Sequence, residues 1–272
     1  MDVAAEVKRL FLETIWEYYR GNGRHDLPWR LAEPDGTFDP YKILVSELML
    51  QQTQVSRVIP KFDAFIAQFP TAEALAGASL GDVLRAWQGL GYNRRAKFLW
   101  ESAKQISASG QFPNTLESLV ALPGVGVNTA GAVLAYAYNE PVVFIETNIR
   151  TVYIHHFFSE QDAVSDADIR ELVEQTLDAE QPREFYWALM DYGSYLKTQT
   201  RNNKQSKHYT KQSAFAGSRR EIRGLVLREL SKKDLSLEEL TAISSDKRLP
   251  AVLEDLLDEK IISQKHNHYS ID

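Results

Sequence analysis

Cysteine is entirely absent from this sequence of 272 residues. Its absence excludes disulfide bonds, thiolate zinc sites, cysteine-ligated iron–sulfur clusters and cysteine nucleophiles. The sequence also lacks an apolar run of about 18 residues, and its amphipathic N-terminal segment does not have the pattern of a signal peptide, so we expect neither secretion nor a membrane span. Any catalysis must use carboxylates, hydroxyls, amines, imidazoles or a metal bound through oxygen or nitrogen.

Charge is unevenly distributed along the chain. The net charge is −6, but residues 197–228 contain nine Lys or Arg and a single acidic residue, Glu221. A concentrated basic segment is compatible with local binding of a polyanion, because electrostatic steering depends on the local field. A solvated linker explains the same charges, so composition alone leaves both interpretations open.

Apolar residues recur at helical spacing through most of the chain, and the breaks contain turn sequences such as Phe69-Pro70-Thr71. Only residues 142–145 and the last dozen residues look extended. The pattern predicts an all-α fold without internal repeats. A chain of this length forms one large domain or a few smaller ones.

The C-terminal region is predicted to be a small separate module. Residues 198–217 are polar and basic and are typical of a linker. Ser218 and Ser236 each begin a capping-box pattern, Pro250 can start a third helix, and residues 261–271 suggest a hairpin. Three helices and a hairpin indicate a winged-helix-like module at 218–272. Its helix at 250–260 is acidic, which favours packing or a protein partner, with DNA contact left to the wing or to the helix at 218–230.

Two carboxylates stand out in the helical part of the chain. Glu47 has Ile43, Leu44 and Leu50 at helical spacing, and a carboxyl group on an apolar face is a candidate general acid. A buried Glu paired with an arginine is the alternative. Glu146 ends an apolar run just before a helix, where it can equally be an ordinary N-cap. One shielded carboxylate and one at a helix N-terminus are also the groups that glycosidic bond cleavage requires.

A glycine-rich turn separates two predicted helices in Leu122-Pro-Gly-Val-Gly-Val-Asn-Thr129. Gly124 and Gly126 permit a tight turn, and Asn128 or Thr129 begins the next helix. Such a turn presents backbone N–H groups at a helix N-terminus, where they can hold one phosphate of a nucleic acid regardless of its base sequence. A generic connection between two helices has the same pattern.

These features occur together in one family. The stretch from about Leu27 to Tyr195 resembles the helix–hairpin–helix DNA glycosylases of the endonuclease III superfamily, and most closely their MutY-type adenine glycosylases. The motifs that carry the resemblance are Leu27-Pro-Trp-Arg30, Asp39-Pro-Tyr-Lys42, Ser46-Glu-Leu-Met-Leu-Gln-Gln-Thr-Gln-Val55, Gly89-Leu-Gly-Tyr-Asn-Arg-Arg-Ala96, Leu122-Pro-Gly-Val-Gly126 and Ala188-Leu-Met-Asp-Tyr-Gly193.

The resemblance implies a role for each matching residue. Glu47 corresponds to the catalytic glutamate that protonates a flipped-out adenine. Gln52 and Tyr92 correspond to residues inserted into the DNA base stack. From the sequence alone, either residue could equally belong to a helix surface or to the core. The resemblance also gives a phosphate contact to Gly124, Gly126 and Thr129, and a catalytic position to Glu146 and Asn148.

The departures from the family pattern carry their own expectations. Glu146 replaces an aspartate, and the added methylene can displace the carboxylate. Asn128 stands at the position of the Schiff-base lysine of bifunctional relatives, so we expect a monofunctional enzyme. Asn128 does not indicate which base is excised. Members of the family usually have four cysteines after this stretch, which hold an iron–sulfur cluster. With the same spacing, those four positions fall on Lys197, Lys204, Lys207 and Ser213 in this chain. We expect no cofactor and no metal, with Lys204 and Lys207 contacting phosphate directly.

The sequence therefore predicts an adenine DNA glycosylase acting on a mismatch with 8-oxoguanine or guanine. A thymine or uracil glycosylase and a catalytically reduced lesion binder are the alternatives. The expected domains are 1–30 with 134–197 as one lobe, 31–133 as a six-helix lobe, the basic linker and the C-terminal module. The residues after Ser213 are too few for the Nudix-like domain of MutY-type enzymes. We expect a cytoplasmic, nucleoid-associated monomer with double-stranded DNA as its partner.

Overall fold

The computed structural model describes residues 3–161, 163–200, 202–207 and 214–271. These residues form fourteen α-helices: α1 (Ala5–Asn22), α2 (Pro40–Leu50), α3 (Val55–Gln68), α4 (Ala72–Ala76), α5 (Leu80–Ala86), α6 (Arg94–Ser109), α7 (Leu116–Val120), α8 (Val127–Tyr138), α9 (Thr147–Phe157), α10 (Asp166–Thr176), α11 (Pro182–Gln199), α12 (Arg219–Leu230), α13 (Leu237–Ile243) and α14 (Leu249–Asp258). The prediction of a helical fold is confirmed. None of the helices in the described part of the chain is long and apolar enough to cross a bilayer.

The single sheet lies near the C-terminus. Strands β1 (Leu235–Ser236), β2 (Ser263–Lys265) and β3 (His268–Ser270) are antiparallel, in the order β1-β3-β2. The hairpin expected over 261–271 is present as β2 and β3. The 3₁₀ turns Pro28–Arg30 and Asn202–Gln205 complete the regular structure among the described residues.

The chain divides into two compact units. The first comprises Met1–Ile43, Asn114–Val120 and Val125–Lys211, and the second comprises Leu44–Pro113, Ala121–Gly124 and Gln212–Asp272. The predicted lobe boundary at residue 133 stays a prediction. Helix α8 belongs wholly to the first unit, because a side chain at Gly131 would clash with Phe144 of that unit, 2.8 Å from its Cβ.

The first unit is built around α9 and α11. The rings of Phe144 and Tyr186 lie 4.1 Å apart, and the buried Tyr153 hydroxyl lies 2.5 Å from the hydroxyl of Thr176. Asp191 on α11 is 3% exposed and accepts bonds from Arg30 at 2.8 and 2.9 Å. Burial opposes ionisation of Asp191, but Arg30 and Arg24 outweigh it and lower the pKa of this carboxyl. Arg24 and Arg30 therefore bind the segment before α2 to Asp191 of α11 within the first unit.

The second unit contains α3–α6, the C-terminal half of α2 and the C-terminal module, which we define as residues 218–271. Phe65 and Trp87 are fully buried, with ring centroids 6.0 Å apart. Ser236 makes the predicted capping box with Glu239. Ser218 caps α12 as predicted, but the Glu221 carboxylate accepts from Gly217 instead of from Ser218.

The acidic helix of the module packs against its basic helix. Arg219 of α12 pairs with Asp255 at 2.5 Å, and Arg223 pairs with Glu259 at 2.7 Å. The acidic charge of α14 therefore compensates α12, which is a packing role of the kind that the sequence favoured. The module is also fixed to the rest of its unit, because Gln88 donates to the Ser231 hydroxyl at 2.7 Å.

Candidate active site and DNA-contact residues

In the second unit, α2 presents Glu47 on a helix that is otherwise deeply buried. Leu44 and Leu48 are 1% and 0% exposed, whereas Glu47 is partly accessible. Glu47 thus stands among buried apolar residues of the helix and remains partly accessible itself. This environment suits a proton donor that must reach a ligand.

Helix α2 ends at the buried guanidinium of Arg95. Its Nη1 donates to the carbonyl oxygens of Leu48, Met49 and Gln51, at 2.6, 3.0 and 2.6 Å. A cation at a helix C-terminus is favoured by the helix dipole. Burial lowers the pKa of Arg95 to about 10, so it remains charged at neutral pH.

The same side chain also organises the turn before α6. Nη2 of Arg95 donates to the carbonyl oxygens of Leu90 and Gly91, at 3.2 and 3.1 Å. Gln52 and Tyr92, the predicted DNA-stack residues, follow these two tethered segments, and both have left-handed backbones with φ of 57° and 48°. Sequence reasoning missed Arg95, because a charged residue in an amphipathic helix usually lies at the surface. The glycines before Tyr92 were the available signal that a tight turn, which needs hydrogen-bond donors for its carbonyl groups, precedes α6.

In the glycine-rich turn, the structure gives different reasons for the absence of a side chain at Gly124 and at Gly126. Gly124 has φ +75°, and a Cβ there would lie 2.7 Å from Phe98. Gly126, the N-cap of α8, has φ −88°, and a Cβ there would meet nothing within 4 Å. Packing therefore requires Gly124, whereas Gly126 leaves space in front of the N-terminal N–H groups of α8. Thr129 is only 9% exposed, and its predicted phosphate contact stays a prediction.

In the first unit, residues 141–146 are extended without pairing as a strand. Several of their backbone groups bind side chains instead. The Tyr186 hydroxyl donates to the Val142 carbonyl at 2.7 Å, and the Asn128 side-chain oxygen accepts from the Ile145 N–H at 3.2 Å. These bonds fix the segment that leads to Glu146.

Glu146 occupies the N-cap position of α9, but its side chain makes no capping hydrogen bond. Burial raises the pKa of its carboxyl, and the cations Arg150 and Lys197 oppose that rise. Burial lowers the pKa of Lys197 to about 8, against the attraction of Glu146. Arg150 forms a bidentate pair with Asp166 at 2.6 Å. Glu146 is thus a partly buried carboxyl group whose pKa is raised by burial more than the two neighbouring cations lower it.

The predicted catalytic residue Asn148 is fixed by α11. Its Nδ2 donates to the Met190 carbonyl at 3.1 Å, and a Cβ at Gly193 would lie 2.3 Å from the Asn148 carbonyl oxygen. This close approach brings the N-terminal end of α9 against α11. Asn128, Glu146 and Asn148 are thereby held in one region of the first unit.

The basic segment is attached to the first unit in its described part. The Lys207 N–H donates to the Val164 carbonyl at 3.0 Å, and the Val164 N–H donates to Gln205 at 2.8 Å. Lys204 and Lys207 are both exposed. The expected linker is therefore tethered over 202–207, and its remaining predicted position, Ser213, lies outside the described residues.

These lysines do not fit the iron–sulfur cluster that the family pattern places here. Lys197, Lys204 and Lys207 carry ammonium groups, whereas a cluster needs thiolates, and the sequence contains no cysteine. Within residues 3–161, 163–200, 202–207 and 214–271, no group of three or more His, Asp or Glu is arranged to hold a metal ion.

Known proteins share this arrangement in sequence and in fold. The adenine DNA glycosylase of Buchnera aphidicola subsp. Baizongia pistaciae is 35% identical over 193 residues, which cover 69% of this chain and 53% of that protein. The adenine DNA glycosylase of Mycobacterium tuberculosis (strain ATCC 25618 / H37Rv) is 42% identical over 178 residues, which cover 64% and 57%. The chain spans roughly half the length of the curated relatives it matches.

Solved structures show the same fold. A thermostable thymine-DNA glycosylase superposes with a TM-score of 0.60 at 24% identity, covering 71% of this chain and 88% of that one. An endonuclease III in a non-covalent DNA complex superposes with a TM-score of 0.57 at 16% identity, covering 73% and 97%. Residues 45–178 match the family model described as HhH-GPD superfamily base excision DNA repair protein, and this part of the chain belongs to that superfamily.

Proposed function

We propose that this protein is a monofunctional DNA glycosylase that excises adenine from a mismatch with 8-oxoguanine or guanine. The observation that carries the proposal is its identity of 35% to 42% with proteins named adenine DNA glycosylase, over about two thirds of the chain. Its partner would be double-stranded DNA, which it would bind as a monomer. Activity on genomic DNA accounts for the expected location in the nucleoid.

Glu47 and Glu146 have complementary roles in this proposal. Glu47 protonates the flipped-out adenine at N7, and the electrons of the N-glycosidic bond leave with the base. The Glu146 carboxylate stabilises the positive charge that develops on the sugar. A water molecule then adds to the anomeric carbon, and its proton passes to the Glu47 carboxylate. Asn148 and Asn128 hold the region of Glu146 in place.

DNA binding is proposed for the other predicted residues. The N–H groups beyond Gly126 would hold one phosphate, with Gly124 maintaining the turn. Gln52 and Tyr92 would enter the base stack, where an aromatic ring can replace a flipped-out base. Lys204 and Lys207 would contact phosphates through charge.

Strand cleavage after excision tests the proposal. Duplexes with A, T, U or hypoxanthine opposite G or 8-oxoguanine are incubated with the wild type and with Glu47→Gln, then treated with alkali. We expect breaks in A-containing duplexes only, and their loss in Glu47→Gln. Breaks at T or U would establish the alternative glycosylase. Binding without breaks would establish a lesion binder.

Borohydride trapping tests the absence of lyase activity. A bifunctional glycosylase forms a Schiff base between a lysine and the sugar, which borohydride reduces to a stable adduct. Because residue 128 is an asparagine, we expect no adduct with the wild type. A trapped complex would contradict monofunctionality, and its loss in Lys197→Met would identify the nucleophile.

A further inference from the structure

Two arginine side chains from different parts of the second unit contact Tyr92. Nη1 of Arg220 donates a hydrogen bond to the Tyr92 hydroxyl at 2.6 Å. The guanidinium carbons of Arg95 and Arg220 each lie 5.3 Å from the centroid of the Tyr92 ring. Arg95 belongs to α6, whereas Arg220 belongs to α12 of the C-terminal module. The module therefore contacts the aromatic side chain that the proposed function inserts into DNA.

The backbone of Tyr92 makes such contacts significant. Its φ of 48° lies in the left-handed region, which is unfavourable for a residue with a Cβ. A strained conformation persists only where the surrounding structure imposes it. Arg95 fixes the main chain of the preceding turn, and Arg220 holds the phenol ring at its hydroxyl end.

The neighbours of Arg220 on α12 have a different task. Arg219 and Arg223 form ion pairs with Asp255 and Glu259 inside the module. The side chain of Arg220 instead reaches Tyr92, outside the module. At the other end of α12, Arg85 donates to the Ser231 carbonyl at 3.2 Å. Helix α12 is thus attached to the α5–α6 region near both of its ends.

We propose that Arg220 is a positioning residue for Tyr92, through which the C-terminal module sets the preference of the enzyme for damaged over intact DNA. The inference rests on the proposed function for the role of Tyr92, and extends it to a module outside the matched residues 45–178. A ring that is ordered before binding loses less conformational entropy when it enters the base stack. This advantage applies only where the stack opens, so it favours the damaged duplex.

A double-mutant cycle between Arg220 and Tyr92 tests the proposal. Arg220→Ala, Tyr92→Phe and the double variant are compared by their affinities for a duplex with a stable abasic analogue opposite G and for the matched duplex. Each single variant should reduce the ratio of the two affinities roughly three- to tenfold. The double variant should lose no more than the more affected single variant, because both substitutions remove one interaction.

Arg219→Ala is the matched control. It removes the same charge from the adjacent position and should leave the affinity ratio unchanged. Equal losses for Arg219→Ala and Arg220→Ala, or additive losses in the cycle, would overturn the proposal. Reduced affinity for both duplexes with a smaller salt slope would instead make Arg220 a phosphate contact, which also overturns it. Thermal unfolding confirms that each variant is folded, and Arg220→Lys provides a second, milder variant.

The binding cycle requires no catalysis, so the two proposals can fail separately. Excision of adenine by the wild type with additive binding losses would retain the proposed function and reject the role of Arg220. Absence of excision from every duplex would reject the proposed function. A non-additive cycle in that case would still support Arg220 as the residue that positions Tyr92.

Discussion

The side-chain oxygen of Asn128 accepts a hydrogen bond from the backbone N–H of Ile145, at 3.2 Å. Asn128 lies in the first turn of α8, and Ile145 immediately precedes Glu146. The bond therefore connects the helix that follows the glycine-rich turn to the main chain that carries the candidate carboxylate. Residue 128 acts here as a structural anchor for Glu146.

Asn128→Ala should slow base excision more than it weakens DNA binding. Without the side-chain acceptor, the chain before Glu146 can shift, and a displacement of about 1 Å costs roughly 100-fold in rate. We expect a 10- to 100-fold lower single-turnover rate, on the order set by that relation, with nearly unchanged affinity for the substrate duplex. Asn114→Ala, at an exposed site, is the control. An unchanged rate in Asn128→Ala would show that the anchor has no catalytic effect.

Lys197→Met should move the acid limb of the pH–rate profile to higher pH. In the proposed mechanism Glu146 acts as a carboxylate, so the rate should fall as the pH drops through its pKa. Burial raises that pKa and Lys197 and Arg150 lower it, so removing the ammonium group of Lys197 raises it further. The loss of rate should be larger at about pH 6 than at about pH 8.

Two variants separate this effect from a general loss of charge. Lys197→Arg keeps the cation and should restore the acid limb toward its original position. Lys232→Met removes an exposed lysine, 61% accessible, and should leave the profile unchanged. If Lys197→Met lowers the rate equally at every pH, its ammonium group does not control the ionisation of Glu146.

Arg95→Lys should destabilise the protein although it conserves the charge. The forked guanidinium of Arg95 bonds the C-terminal end of α2 and also the turn before Tyr92. A lysine cannot make all of these bonds, so several buried carbonyl oxygens lose their partner. We expect a loss of about 2–4 kcal/mol in the free energy of unfolding, measured in urea. Arg94→Lys, at an exposed position, should change it by less than about 1 kcal/mol. Similar values for both variants would refute the structural role of Arg95.

The local elements of the fold could be predicted from the sequence. Ser236 and Glu239 form the expected capping box, and Pro250 lies at the start of α14. These features depend on neighbouring residues, so the sequence contains their cause. The hairpin at the C-terminus is predictable for the same reason.

The long-range contacts could not be predicted in this way. The charge pattern shows Lys197 only as the first residue of a basic segment, whereas in the structure it lies on α11, which continues to Gln199, and lowers the pKa of Glu146. The contact between Arg220 and Tyr92 joins residues 128 positions apart. Such pairs depend on tertiary packing, and neither helical periodicity nor a family motif specifies them.

Lys204 and Lys207 should contribute to DNA affinity through charge alone. Both side chains are exposed on a segment that is tethered to Val164, so they can reach phosphates without a change of fold. Replacing both with Ala should weaken binding to every duplex and reduce the salt slope by about one per lysine. The control is Lys232→Ala with Lys233→Ala, which removes two exposed lysines elsewhere. Unchanged affinity and slope would exclude the two lysines from DNA contact.

Gly124→Ala and Gly126→Ala should affect different properties of the protein. At Gly124 an alanine must adopt φ +75° and approach Phe98 within 2.7 Å, so we expect a loss of at least about 1 kcal/mol in the free energy of unfolding. At Gly126 the backbone is ordinary and the space is open, so alanine should leave stability nearly unchanged. The added methyl group should instead obstruct a phosphate at the N-terminus of α8 and weaken DNA binding several-fold. Urea unfolding and DNA titration distinguish the two effects, and full DNA affinity in Gly126→Ala would show that no phosphate approaches this helix end.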